Sequence, residues 1–343
     1  MLRPIKVLIV DDSALVRKLL ADIIRSDPEM EVVGTVSNGL EAVKAAAELD
    51  PDVITMDIHM PEMDGLTALE YIMKKNPRPV VMLSALTRQG AVSTIRSLEL
   101  GAVDFIAKPA YLRGEARVMS EEVLSKIRTA AGTAPAMRRS ALLAARKARR
   151  YKGGKPALAK AIVFGASAGG PKALAEILPE IPADIPASIV VVQHMPPVFT
   201  RTFAERLDHC SDISVKEAEK GDRLKPGLAL VVPGGFNLVV NKGGDGRVEL
   251  KEAKTNKASP AIDITMASIA ELYGEGAIGV LMTGMGTDGA EGMARIKEMK
   301  GKTVAQDEST SLVFGMPRAA IERRAVDCVV PLREIPETIL CLL

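Results

Sequence analysis

Three kinds of residue in this 343-residue chain stand where chemistry needs them: clustered carboxylates, a serine between glycines, and rare histidines. Asp11 and Asp12 follow the apolar run Val7-Leu8-Ile9-Val10, while Asp57, Ser84 and Lys108 (ahead of Pro109) end later runs. Carboxylates that converge repel each other unless a hard divalent cation sits among them. Mg²⁺ takes such oxygen ligands and keeps waters for a phosphate-bearing guest, with which Lys108 can pair. Asp11 or Asp12 alone reads as a helix N-cap; the set does not. Farther on, Gly165-Ala166-Ser167-Ala168-Gly169-Gly170-Pro171 contains G-x-S-x-G at a strand-to-helix turn. There the glycines allow a sharp bend and the helix N-terminus favours developing negative charge. Such a turn also suits a phosphate cradle, although neither G-x-G-x-x-G nor the P-loop lysine pattern is present. The only histidines are His59, His194 and His209. His194 follows the next strand, on the same edge as Ser167, and is placed for a general base. His59 sits beside Asp57, and His209 closes a charged helix. The carboxylate that would orient the imidazole is Asp288, in Thr283-Gly284-Met285-Gly286-Thr287-Asp288-Gly289, which otherwise reads as a helix N-cap. The order Ser167, His194, Asp288 is not that of α/β-hydrolases.

These residues need a scaffold that brings strand ends together. Five β-rich runs, 6–10, 31–36, 53–57, 79–84 and 102–107, alternate with helical patterns, which implies right-handed βαβ units and a parallel sheet. Continuous apolar character in Val80-Val81-Met82-Leu83 fits strands buried on both faces. The same grammar recurs at 161–165, 188–193, 228–233 and 277–283. Residues 237–252, broken by Gly243-Gly244-Asp245-Gly246, predict a β-hairpin. The expected fold class is therefore α/β: two doubly wound domains, a five-stranded parallel N-terminal one and a mostly parallel C-terminal one with an antiparallel hairpin. In such sheets function collects at the carboxyl edge, where the singled-out residues lie.

Length favours two domains, and a composition of 47% hydrophobic and 26% charged residues excludes a disordered or collagen-like body. No run approaches the ~18 apolar residues of a membrane span, and residues 1–10 lack a secretory cleavage pattern. A cytoplasmic protein without membrane insertion is expected. Three scattered cysteines make neither a disulfide framework nor a zinc spacing. Aromatics at 3% without Trp disfavour base-stacking surfaces. The net charge of +2 hides eight positive charges without an acid between Arg138 and Lys155, which leave −6 on the remainder. Glycines and prolines flank this stretch, so a basic linker is expected at 126–157, between domains at 4–125 and 158–343. Its middle, 140–150, suits a short helix, read as a solvated linker, a docking element or a phosphate-binding arm; nothing beside it resembles a nucleic-acid-reading module.

The Asp11-Asp12 pair, Asp57 within Asp57-Ile58-His59-Met60-Pro61-Glu62-Met63-Asp64-Gly65, Ser84 and Lys108-Pro109 together resemble the response-regulator receiver family. The resemblance implies that Asp57 is the phospho-acceptor. It also implies that Asp12, Asp57 and the His59 carbonyl ligate Mg²⁺, with Asp11 helping through water, and that Ser84 and Lys108 bind the phosphoryl group. Phe105 stands where many receivers have Tyr. The loops 165–170, His194-Met195-Pro196-Pro197, Ser259-Pro260-Ala261-Ile262-Asp263 and 284–289 resemble the chemotaxis protein-glutamate methylesterase family, CheB. That resemblance implies a receiver-regulated esterase acting on methylated glutamates of chemotaxis receptors, with deamidation of receptor glutamines and a chemotaxis histidine kinase as phosphodonor. Ser167 is then the nucleophile, His194 the base and acid, Asp288 its orienter, and the Met285 N–H an oxyanion donor, with no cofactor in that domain. Ala168 replaces a frequent Thr, which leaves oxyanion stabilisation to backbone donors and His194. The competing reading is a response regulator whose second domain only binds, a nucleotide at the Ser167 loop or DNA through the basic linker.

Overall fold

Near-continuous apolar runs form the central strands, and in the first unit polar side chains cap the helices that follow the first four of them. The computed structural model describes residues 3–108, 116–134, 159–240, 246–253 and 260–343. The chain divides into two units, Met1–Leu142 and Leu143–Leu343. In the first, β1 (Ile5–Val10), α1 (Ala14–Arg25), β2 (Met30–Val36), α2 (Gly39–Glu48), β3 (Val53–Asp57), α3 (Gly65–Lys75), β4 (Val80–Ala85), α4 (Arg88–Leu100), β5 (Asp104–Lys108) and α5 (Ala116–Ala131) follow one another. The strands pair parallel in the order β2-β1-β3-β4-β5. Val7, Leu8, Ile9 and Val10 are fully buried, as are Val80, Val81 and Met82. Ser13, Asn38, Asp64 and Thr87 each accept a backbone N–H of the helix that follows, contributing about 1 kcal/mol apiece. Ser13 and Asp64 thus do the capping, which leaves Asp11, Asp12 and Asp57 for another purpose. The strand order reverses between β1 and β3, the switch point at which open α/β sheets bind ligands.

The second unit contains β6 (Lys160–Ala166), α6 (Gly170–Ile177), β7 (Ala187–Gln193), α7 (Phe199–Cys210), β8 (Ser214–Glu217), β9 (Leu228–Val231), β10 (Phe236–Val240) and β11 (Val248–Glu252). It continues with α8 (Ile262–Tyr273), β12 (Ala277–Leu281), α9 (Ala290–Glu298), β13 (Lys302–Gln306), α10 (Gly315–Glu322), β14 (Cys328–Val330) and α11 (Ile335–Leu342). Seven strands pair parallel in the order β14-β13-β12-β6-β7-β9-β8, and β10 and β11 form a separate antiparallel pair with Val240 opposite Val248. Three sheet strands were not foreseen. β8 reads Ser-Val-Lys-Glu on an edge, β14 has three residues, and β13 mixes polar and apolar positions, so none carries a run long enough to announce a strand. The core around the central strands joins Val163, Val190 and Leu281 to Ile262 and Met266 of α8 and Met293 of α9.

Helix α5 ends at Ala131, six residues beyond the receiver end expected at 125, because its apolar positions Val123, Ile127 and Ala130 stay buried. The hairpin turn at 241–245, Pro109, Ser259 and most of the expected linker, with its helix at 140–150, lie outside the described residues. Among those described, no helix is long and apolar enough to cross a membrane.

Candidate functional sites

In the first unit the ends of β1 and β3 bring carboxylates together. One oxygen from each of Asp11, Asp12 and Asp57 lies within 4.8 Å of the others. Asp11 is fully buried and Asp57 nearly so, whereas Asp12 is exposed. Lys108, at the end of β5, reaches across with Nζ 2.7 Å from Asp11 Oδ2 and 2.8 Å from Asp57 Oδ2. Burial pushes the Asp57 carboxyl above its usual pKa, and the charge of Asp11 adds to this; Lys108 opposes but does not cancel it. The Lys108 ammonium is also disfavoured by burial, yet its two carboxylate partners outweigh that and hold its pKa above the ordinary value. Three acids against one ammonium leave two negative charges, and hard oxygen donors in that number fit a divalent cation.

The other receiver residues lie around this cluster in different states. Ser84 is buried at the end of β4, but its hydroxyl donates to the Gly90 carbonyl of α4 (3.3 Å) and accepts from the Thr94 hydroxyl (2.5 Å). No hydrogen bond joins Ser84 to Asp57 among the described residues. His59 lies in the turn two residues past Asp57, with its side chain exposed. Phe105 is buried, and the Lys126 ammonium lies 5.1 Å from its ring centroid.

In the second unit the ends of β6, β7 and β12 lie side by side, with Leu281 level with Gly165 and Ala166 level with Gln193. Hydrogen bonds tie the loops that leave them. Ser167 N–H donates to the Thr283 carbonyl (3.0 Å), and His194 N–H donates to the Ala166 carbonyl (3.1 Å). The buried Gln193 amide donates to the carbonyls of both Ser167 (3.0 Å) and His194 (3.1 Å). The bend into α6 is taken by Gly169 at φ +76°, while Ser167 stays out of the left-handed region. Gly284 presses on the serine: a Cβ there would stand 2.8 Å from Ser167 Cβ, so only glycine lets the Met285 loop approach this closely. Met285 itself is 46% exposed.

His194 Nε2 and Asp288 Oδ2 are 2.7 Å apart. Asp288 Oδ2 also accepts the Ile262 N–H (2.8 Å), and Oδ1 accepts those of Asp263 and Gly289 (both 3.1 Å). Burial alone would raise the pKa of Asp288, but the hydrogen bond with His194 and the N–H groups of Ile262 and Asp263 outweigh it and hold the carboxyl below its usual range. Asp288 does cap a helix, though it is α8 and not α9, whose own N-cap is Gly289. One carboxylate thus closes the start of α8 and binds the imidazole, whereas the helix that follows it, α9, is not capped by it.

Two contributors escaped the sequence reading. Gln193 ends β7, where the sequence marks it only as the last residue of a strand. Asp263 ends the motif 259–263 with no role legible in the sequence; its Oδ1 accepts the N–H of Gly289 (2.9 Å) and Gly292 (2.7 Å). Burial, together with the charge of Asp288, pushes Asp263 up to about 6. A lone acid in the first turn of the apolar helix α8 was the available signal.

Both units match known protein families. Residues 7–114 match the response regulator receiver domain and residues 162–339 the CheB methylesterase family. The chain is 49% identical to a protein-glutamate methylesterase/protein-glutamine glutaminase of Pyrococcus abyssi, covering 98% of this chain and 93% of the relative. It is 47% identical to the protein of the same name from Thermotoga maritima, covering 98% of each. The crystal structure of the Thermotoga maritima CheB methylesterase catalytic domain matches 54% of this chain and 99% of its own, with TM-score 0.52 and 44% identity. With matches that span nearly its full length, the chain belongs to the family of response-regulator protein-glutamate methylesterase/protein-glutamine glutaminases.

Proposed function

We propose that this chain, a response-regulator protein-glutamate methylesterase/glutaminase of chemotaxis, works by serine acyl transfer under the control of aspartyl phosphorylation. The observation that carries the reading is the His194 Nε2 to Asp288 Oδ2 hydrogen bond at the strand end next to Ser167. With Nε2 committed to Asp288, Nδ1 is the nitrogen that exchanges protons with Ser167. Ser167 Oγ loses its proton to His194 and attacks the γ-carbonyl of a methylated glutamate. The oxyanion is held by backbone N–H groups, that of Met285 among them, since Ala168 supplies no hydroxyl. Collapse of the tetrahedral adduct expels methanol, which takes the proton from His194. Water, deprotonated by the same imidazole, then cleaves the glutamyl-serine ester to glutamate and free serine. A glutamine follows the same course and releases ammonia. The charge that develops on the imidazole is matched by Asp288, already ionised and fully engaged.

In the receiver, Asp57 is the phospho-acceptor. Asp12, Asp57 and the His59 carbonyl, with Asp11 helping through water, would hold Mg²⁺, which would supply positive charge against the carboxylates and the phosphoryl group. Lys108, now shared by Asp11 and Asp57, pairs with the phosphoryl oxygens, and Ser84 reaches them by giving up its partners on α4. The buried Phe105 has no hydroxyl to report this movement, so the switch there works through packing. The phosphodonor is a chemotaxis histidine kinase and the substrates are methyl-accepting chemotaxis receptors. Mass spectrometry of a methylated receptor fragment tests the reading: the protein should convert glutamyl methyl esters to glutamates, 14 Da lighter by the chemistry of methyl loss. A fragment left unchanged by phosphorylated enzyme would contradict it.

A further inference from the structure

The two carboxylates behind His194 hold each other's helices. Asp288 precedes α9 yet binds the first N–H groups of α8, those of Ile262 and Asp263. Asp263 belongs to α8 yet binds N–H groups at the start of α9, those of its N-cap Gly289 and of Gly292. Each helix N-terminus, where N–H groups lack intrahelical partners, is thus closed by an acid from the start of the other helix. Neither N-cap residue, Ala261 nor Gly289, supplies a capping side chain. The exchange therefore replaces ordinary capping at both ends. Its mechanical consequence falls on Asp288: the residue after it, Gly289, is tied to Asp263, so the peptide that carries the orienting carboxylate is fixed from both sides.

We propose that Asp263 is a positioning residue for ester hydrolysis, which clamps the start of α9 through Gly289 and Gly292 and so keeps Asp288 aligned on His194 Nε2. The proposal rests on the reading of Ser167, His194 and Asp288 as the reacting group. Asp263 touches neither substrate nor imidazole in this scheme; it acts through Asp288. What it must supply is an acceptor oxygen, so asparagine can replace it and alanine cannot. Cutting the clamp leaves Ser167 and the approach for substrate in place, hence the loss belongs to kcat and not to KM.

The test is a kinetic and NMR comparison of full-length Asp263→Asn and Asp263→Ala, with folding followed by thermal unfolding. Asp263→Ala should lower kcat by about 30- to 100-fold with KM within about twofold, the size of effect expected when a reacting group is misplaced by roughly an ångström. Asp263→Asn should keep at least about a third of wild-type kcat, because its carboxamide oxygen still accepts both N–H groups. With ¹⁵N-histidine label only three imidazoles report, and the deshielded His194 N–H bound to Asp288 should persist in Asp263→Asn and vanish or move upfield in Asp263→Ala. In an Asp288→Asn background Asp263→Ala should cost little more. An Asp263→Ala enzyme with wild-type kcat, an equal further loss in that background, or an Asp263→Asn enzyme that loses the resonance each overturns the proposal. If alanine prevents folding, the asparagine variant still decides. Activity that survives Ser167→Ala would instead remove the underlying reading, an outcome distinct from any of these.

Discussion

The two functional edges of this molecule handle buried negative charge in opposite ways. Around Asp57, three carboxylates share one lysine, and burial holds the Asp57 carboxyl above its usual pKa. Around Asp288, four hydrogen bonds, three from backbone N–H groups and one with His194, use both oxygens and hold the carboxyl below its usual range. The first arrangement is short of positive charge, as a site for a cation would be. The second is complete as folded, so its donors need no reorganisation when charge appears during reaction. On the proposed reading a receiver must differ between two states, whereas an acyl-transfer site gains from having one, and the contrast in hydrogen bonding fits that difference in task.

The largest effect should come from breaking the complete site. Ser167→Ala and His194→Ala should each lower kcat for ester hydrolysis on the order of 10⁵-fold or more, and the double variant hardly further, because such residues act as a unit. Steady-state rates on a methylated receptor fragment check this. Asp288→Asn should follow at about 10³ to 10⁴-fold, since the amide favours the wrong imidazole tautomer while keeping the shape. The incomplete site should respond to ligand instead. Mg²⁺ at a hundred times its Kd should stabilise the receiver by about 2.7 kcal/mol and leave the unfolding of the catalytic unit unmoved, measured by calorimetry with and without chelator. Asp57→Asn should shrink that shift and remove the label left by a small-molecule phosphodonor.

The smallest effect probes Asp263, whose carboxyl, like that of Asp57, is held above its ordinary pKa. Folded, it keeps its proton up to about pH 6, against 3.8 for the unfolded group. Between those values the folded chain binds more protons than the unfolded one, so this residue makes stability fall as pH rises. Asp263→Asn lacks that loss, and its Tm relative to wild type should therefore be higher at pH 8 than at pH 4. A difference that does not vary with pH would mean that burial and the charge of Asp288 do not raise the Asp263 carboxyl.

How legible these edges were in the sequence depended on distance along the chain. Asp57, Ser84 and Lys108 each end an apolar run, and a parallel sheet carries all such ends to one edge, so the fold and the receiver cluster could be read together. Ser167 and His194 obeyed the same rule. The role of Asp263 could not be read that way, because it depends on α8 and α9 meeting at their N-termini, and no local pattern announces that Asp263 bonds Gly289, 26 residues on. Nor does a sequence reveal that the side chain of Ser84 faces α4 in this state, a matter of rotamer and not of spacing. The strands β8 and β14 escaped because edge strands of three or four residues carry too few side chains to establish a period.

The claim that the catalytic edge is complete without a ligand can be tested by labelling the full chain with an activated phosphonate and mapping the adduct by mass spectrometry, in chelator and in Mg²⁺. A single adduct on Ser167, formed at the same rate in both and absent from His194→Ala, is the predicted result. Labelling at another residue, or labelling of Ser167 that requires the metal, would contradict the account.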